Sequence, residues 1–276
     1  MPGKRLLCLL IILLLNTAGT SAISRAQGAR PAGLSGAVTA LYGFCGINNN
    51  QAGISLIEHP LLAIYTENRY MVEGMSMITA AFVHPATEGV LGISLNFHGN
   101  RLYSESILGV AYARKFGERL SAGVRLNYFH IRTGLPAAAK GCVAAEAGII
   151  YELLPGFFTG VHIFNPSRAI LSEQPQPLAD ERITTVIRKG VSYVFSPGLI
   201  LSLEAEKDIN HPLSLKLGLE YKPGKNLTAR AGIGSNPMQN SIGMGYSWGN
   251  WQFDIASSYH FILGHSPQAG IKYLIR

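Results

Sequence analysis

The sequence predicts an all-β fold: a transmembrane antiparallel β-barrel of about 14 strands with a small N-terminal plug or arm segment. Three observations lead there. The first is the stretch Leu213, Ser214, Leu215, Lys216, Leu217, Gly218, Leu219, Glu220, Tyr221, Lys222, apolar at every odd position and small or charged at every even one. Successive strand side chains point to opposite faces, so this segment has one greasy face and one wet face. The second is the spacing of turn signals, which alternate between tight and long along the chain. The third is composition. The 276 residues are 47% hydrophobic, only 14% charged and include 31 glycines. Beyond the N-terminus no run reaches the roughly 20 apolar residues a membrane helix needs.

Residues 1–22 read as a secretory signal. Lys4 and Arg5 form a positive start, Leu6 to Leu15 is an apolar run, and Thr20, Ser21 and Ala22 offer small residues for cleavage. The run is too short for a membrane anchor, so export is expected, with the bacterial outer membrane as destination.

Residues 23–59 differ in kind. They are rich in glycine, alanine and asparagine, only weakly periodic, and suited to packing inside a barrel or running as a periplasmic arm. Gly28-Ala29-Arg30, then Gly33-Leu34-Ser35-Gly36-Ala37, then Asn50-Gln51-Ala52-Gly53 follow in order. This opening resembles the N-terminal segment of the FadL-like outer-membrane barrels, closest to the PorV/PorQ-type proteins of type IX secretion; Gln51 stands where that family has proline. The resemblance implies a fourteen-stranded barrel. It also implies a secretion-associated component that binds exported proteins or translocon partners through its loops and rim. The alternative within the same fold is a FadL-like channel for small hydrophobic compounds.

Residues 60–276 carry the strands. Their expected positions are Leu61–Thr66, Ser76–Val83, Val90–His98, Leu102–Lys115, Arg119–Arg132, Val143–Leu153, Phe157–Phe164, Ile183–Phe195, Leu199–Lys207, Leu213–Lys222, Leu227–Gly234, Asn240–Trp248, Trp251–His260 and Ala269–Arg276. Tight connections fall at Phe116–Glu118, Pro155–Gly156, Ser196–Gly198, Pro223–Asn226 and Gly249–Asn250. Longer ones fall between them, at Thr133–Cys142, Asn165–Arg182, Asp208–Pro212, Ser235–Gln239 and Leu263–Pro267. Short turns on one rim and long loops on the other are how outer-membrane barrels are built. With a periplasmic N-terminus the short turns face the periplasm and the long loops face outside.

The two faces separate cleanly. Leu91, Ile93, Leu95 and Phe97 form an outward stripe, as do Val124, Leu126 and Tyr128, and later Trp251, Phe253 and Ile255. The candidate lumen charges are Arg125, Glu146, Glu204, Glu206, Lys216, Glu220, Arg230 and Asp254. A charge facing lipid at mid-depth would cost about 2–4 kcal/mol, so these need a polar interior. They serve either a polar path or an ion-pair network in which neighbouring strands satisfy one another.

The remaining chemistry is sparse. His98, His162 and His260 are dispersed over different strands, as single polar lumen residues rather than a metal site. There is no Cys-x-x-Cys, and no enzyme activity, metal or cofactor is expected. The net charge of +7 is scattered, without the basic patch of a nucleic-acid binder. Beyond the signal, Cys45 and Cys142 could form one bridge or remain two free thiols. The longest loop opens on Asn165, Pro166 and Arg168, a candidate external lid or partner-binding segment. The expected partners are outer-membrane lipid and either secretion proteins or a small hydrophobic ligand.

Overall fold

The computed structural model describes residues 28–101, 103–134, 137–172 and 181–276. The expected signal, residues 1–22, lies outside the described residues. The structure is a closed barrel of fourteen antiparallel strands. In chain order they are β1 (Leu61–Asn68), β2 (Ser76–Ala86), β3 (Gly89–Gly99), β4 (Tyr103–Phe116), β5 (Leu120–Gly134), β6 (Ala137–Leu154) and β7 (Phe157–Phe164). A small separate hairpin follows, β8 (Ile170–Ser172) with β9 (Glu181–Arg182). The barrel resumes with β10 (Val186–Ser196), β11 (Leu199–Asp208), β12 (Ser214–Tyr221), β13 (Leu227–Gly234), β14 (Gln239–Trp248), β15 (Trp251–His260) and β16 (Gly264–Leu274). β1 closes the barrel by pairing β2 on one side and β16 on the other, with Leu61 opposite both Val83 and Leu274.

Alternation explains the wall. Odd residues of β12 are outside and Lys216, Gly218 and Glu220 are inside and buried. Leu91, Ile93, Leu95 and Phe97 on β3 are exposed outward, while Gly92, Ser94 and Asn96 are buried inward. Short turns rely on left-handed glycine where two strands reverse in two residues, as at Gly156 (φ 77°) and Gly249 (φ 58°). Pro85 and Pro267 are tolerated inside strands because each stands just past the last residue paired with β1, where one side carries no ladder.

Two expected loops are shorter than the sequence suggests, and one expected strand starts later. Thr133–Cys142 is mostly strand, since β5 runs to Gly134 and β6 starts at Ala137. The alanine-rich stretch Ala137-Ala138-Ala139 lacks alternation, so its pairing across to β5 was not readable. Leu263–Pro267 is mostly strand as well, because β16 begins at Gly264. Residues 183–185, expected to open a strand, are instead a buried segment folded against the barrel mouth.

The N-terminal segment lies inside the barrel. It comprises a short helix α1 (Ala29–Gly33) and two 3-10 turns, Phe44–Asn48 and Gln51–Ile54, and nearly all of residues 28–54 are buried. Its placement in the lumen replaces the alternative of a periplasmic arm. Cys45 and Cys142 are both free.

Candidate functional site

The candidate site is the lumen, which is built in layers along the barrel axis. The lowest layer holds the plug. Inward positions there are glycines, and plug backbone lies directly on them. A Cβ at Gly160 would stand 2.3 Å from the Thr39 carbonyl oxygen, and one at Gly148 would stand 2.0 Å from Asn50 Oδ1. A Cβ at Gly123 would meet the Gln51 carbonyl carbon at 2.6 Å, and one at Gly232 the Leu34 carbonyl carbon at 2.5 Å. Gly92 faces the Ile47 side chain and Gly218 the Leu34 side chain in the same way. Removing side chains from the wall at this level makes room for a second chain segment in a barrel of this size.

The plug residues of the N-terminal motif find specific roles here. Gly28 precedes α1 with φ 105°, and Ala29 is fully buried against Ala256. Gly33 packs backbone to backbone on Gly243. Gly36 turns the chain with φ 84°, and Ala37 is buried beside it. Asn50 Oδ1 accepts from the Ala52 N–H at 3.2 Å, while its Nδ2 donates to the Thr39 carbonyl at 2.6 Å. Gly53 fits under the Leu41 carbonyl, where a Cβ would come within 2.7 Å. Gln51 opens the 3-10 turn, and its Nε2 donates to Glu146 at 2.9 Å.

Charged residues fasten the plug to the wall in two groups. In the first, Arg30 reaches Glu220 with both Nε (2.8 Å) and Nη2 (3.0 Å). Glu220 also receives Arg230 Nε at 2.7 Å, Arg230 Nη1 continues to Asp254 at 2.7 Å, and Lys272 Nζ lies 3.3 Å from the same carboxylate. In the second, Glu204 Oε2 accepts the backbone N–H groups of Val38 (3.0 Å) and Thr39 (2.9 Å).

The second group belongs to a continuous polar arc one layer above the plug. Arg125 Nη1 donates to the Ile47 carbonyl at 3.0 Å and lies 3.9 Å from Glu146. Glu146 contacts His162 Nε2 at 3.0 Å, and His162 Nδ1 is 3.4 Å from Arg188 Nη1. A guanidinium has no acceptor, so Nδ1 accepts and Nε2 carries the proton toward Glu146, which fits a neutral imidazole. The arc continues through Arg188 to Glu206 (2.6 Å), Glu206 to Lys216 (2.9 Å) and Lys216 to Glu204 (3.1 Å). Gly109 makes the arc possible at its start: a Cβ there would stand 2.2 Å from Arg125 Nε, so the guanidinium lies flat on the β4 backbone.

The third layer, toward the loop rim, is apolar. Toward the loop rim from the arc stand Ala144 on β6, Phe164 on β7 and Val186 on β10, each two residues along its strand, and Phe129 on β5, four residues along from Arg125; Ile107 and Ile183 join them in one buried cluster. The Phe129 and Phe164 rings meet edge to face, 6.2 Å apart. The three layers are in register. Asn127 is opposite Ala144, Arg125 is opposite Glu146, and Gly123 is opposite Gly148.

All eight sequence-nominated charges thus face the lumen. Adjacent-strand partners Arg125 and Glu146, Glu204 and Lys216, and Glu220 and Arg230 are direct cross-strand neighbours. Arg188 and Lys272 were not nominated. Arg188 neighbours Lys189 in sequence, and only strand register says which of the two points inward. The inward glycines were missed as a group, although their recurrence at Gly92, Gly123, Gly148, Gly160, Gly190, Gly218 and Gly232 inside strands was the available signal. The expectation of an external contact at Asn165 needs correction. It is fully buried, with Nδ2 donating to the Ile183 carbonyl at 2.7 Å and Oδ1 accepting from Ala169 N at 3.0 Å. It is a corner that folds residues 183–185 over the mouth; Pro166 and Arg168 are exposed beside it.

No protein-family model matches the sequence, and no curated protein matches it. Solved structures share the fold. The CymD monoaromatic hydrocarbon channel is similar with a TM-score of 0.73 at 13% identity, over 92% of this chain and 99% of that one. The Pseudomonas putida toluene transporter TodX is similar with a TM-score of 0.65 at 11% identity, over 91% of this chain and 97% of that one. A Pseudomonas aeruginosa FadL homologue gives a TM-score of 0.65 at 12% identity, over 90% and 98%. At these identities the likeness shows the fold, a closed barrel of fourteen antiparallel strands.

Proposed function

We propose that this chain is an outer-membrane channel for small hydrophobic compounds, closed by its plug in this structure. The observation that carries the reading is the stacking of the lumen. An apolar layer built around Phe129 and Phe164 faces the loop side, and it rests on a polar arc and a seated plug. An apolar solute arriving from the loop side meets the apolar layer first, where burial is favourable at about 25 cal/mol per Å². The plug is the part that must yield for passage. The fold likeness to channels whose names specify monoaromatic hydrocarbons and toluene supports the same reading over nearly the full length of both chains. The outward apolar face supports a lipid environment, and the expected signal supports export.

Binding of exported proteins or a translocon rests on the order of the N-terminal motifs alone, whereas the solved structures similar to this chain include a monoaromatic hydrocarbon channel and a toluene transporter. The reading requires no catalysed reaction. The test is uptake of a labelled monoaromatic hydrocarbon into vesicles containing the purified barrel. Faster uptake than in empty vesicles is expected. Uptake no faster than in empty vesicles, together with co-purification of a large translocon from native membrane, would replace it with the secretion reading.

A further inference from the structure

The barrel wall is markedly uneven in height. β4, β5 and β6 have 14, 15 and 18 residues, whereas β12 and β13 have 8 each and β14 and β15 have 10. At about 3.4 Å per residue and a tilt of about 40°, eight residues rise roughly 20 Å and eighteen roughly 45 Å. An apolar band of about 25 Å therefore takes up the whole of the low side and only part of the high side.

Side chains agree with that division. On the high side the outward apolar positions stop at Leu108, Tyr128 and Val143; beyond them the outward positions are Ser104, Ser106, His130 and Arg132. On the low side apolar residues continue onto the turns themselves. Ile262 is 88% exposed, Met71 68% and Met238 64%, with Phe261 and Leu263 flanking Ile262. The outward run is interrupted near the tip by Ser257 and His265, which satisfy each other at 3.3 Å.

These tips are built structures. His260 Nδ1 accepts from the backbone N–H groups of Ile262 and Leu263, both at 3.1 Å, so the turn is held with its apolar side chains outward. Tyr70 of the neighbouring loop packs edge-on against His260 at 5.9 Å, and its N–H donates to Ser266 Oγ at 2.9 Å. In the β13–β14 turn, Asn236 Nδ2 donates to the Leu213 carbonyl at 2.8 Å, and Ser235 Oγ accepts from the Leu215 N–H at 2.9 Å.

We infer that the low rim formed by the β1–β2, β13–β14 and β15–β16 turns is inserted into the outer lipid leaflet. Met71, Met238 and Ile262 lie among acyl chains below the headgroups, while the β4–β6 wall stands above the membrane in water. The inference rests on the membrane-barrel reading above.

The test is depth-resolved tryptophan fluorescence in phosphatidylcholine vesicles with brominated acyl chains. The background is Trp248→Phe with Trp251→Phe, and the probes are Ile262→Trp, Met238→Trp, Val124→Trp at mid-wall and Arg132→Trp on the high side. Bromolipid is expected to quench Val124→Trp, Ile262→Trp and Met238→Trp, the last two best from bromine placed near the headgroup. Arg132→Trp is expected to be quenched by aqueous acrylamide and spared by bromolipid. If Ile262→Trp and Met238→Trp behave like Arg132→Trp while Val124→Trp is quenched by lipid, the inserted rim is wrong and the membrane barrel stands. If Val124→Trp is also spared by bromolipid, both fall.

Discussion

Asn50 of the plug lies against Gly148 of β6 so closely that a Cβ at Gly148 would stand 2.0 Å from Asn50 Oδ1. Asn50 is at the same time the cap of its own turn and the donor to the Thr39 and Ile149 carbonyls. The plug and the wall are thus fitted to each other at one backbone-sized gap, and side chains added there act on the plug before they act on the barrel.

Gly148→Ala and Gly160→Ala should loosen the plug while leaving the barrel folded. Overpacking of this kind costs about 1–3 kcal/mol, roughly a 5- to 150-fold rise in the released population. Cys45, buried within the plug itself, reports it. In a Cys142→Ser background, the labelling rate of Cys45 by a small maleimide should rise in both variants. The control, Gly224→Ala, sits in a turn where a Cβ meets nothing within 4 Å and should leave the rate unchanged.

Glu220→Gln should release the plug more strongly than Arg30→Met. Glu220 holds both Arg30 and Arg230, and its loss leaves two buried cations with one carboxylate, Asp254, to share with Lys272. Breaking a buried ion pair from one side costs about 3–5 kcal/mol. Arg30→Met leaves Glu220 paired to Arg230. The same Cys45 labelling assay ranks them, and equal rates in the two variants would count against Glu220 as the shared anchor.

The fold was legible because period-two alternation is dictated locally, residue by residue, as in Leu213–Lys222. The lumen charges were legible for the same reason: a charge such as Glu220 or Arg230 on the wet face of a strand has one place to go. Which charge meets which depends on strand register, a long-range property that no local pattern carries, so the Arg188–Glu206 pair and the role of Lys272 stayed hidden. The plug seat was hidden differently. A glycine such as Gly160 looks the same in sequence whether it serves a turn or clears space for the Thr39 carbonyl. Only the presence of the second segment distinguishes them.

Phe129→Ala should change what the lumen accepts. Deleting a buried phenylalanine costs about 3–5 kcal/mol of local packing and leaves a space beside Phe164. In competition against uptake of a labelled monoaromatic compound, the variant should favour bulkier apolar competitors over the parent. An unchanged competitor ranking would show that the Phe129 layer is not on the path.

The protein should hold two free thiols and no bridge. Unfolding without reductant and titrating with a thiol reagent should give two reactive groups, from Cys45 and Cys142, in the chain processed after the expected signal. Thermal unfolding should be the same with and without reductant.

The measurement that tests the central claim most directly locks the plug to the wall. Ser35 of the plug and Ser241 of β14 have hydroxyl oxygens 2.9 Å apart, close enough for a disulfide between Ser35→Cys and Ser241→Cys in a background lacking Cys45 and Cys142. Uptake of a labelled monoaromatic hydrocarbon into vesicles is then followed under oxidising and reducing conditions. The account predicts that oxidation abolishes uptake and reductant restores it to the parent rate. Uptake that proceeds equally with the plug locked would contradict passage through this lumen.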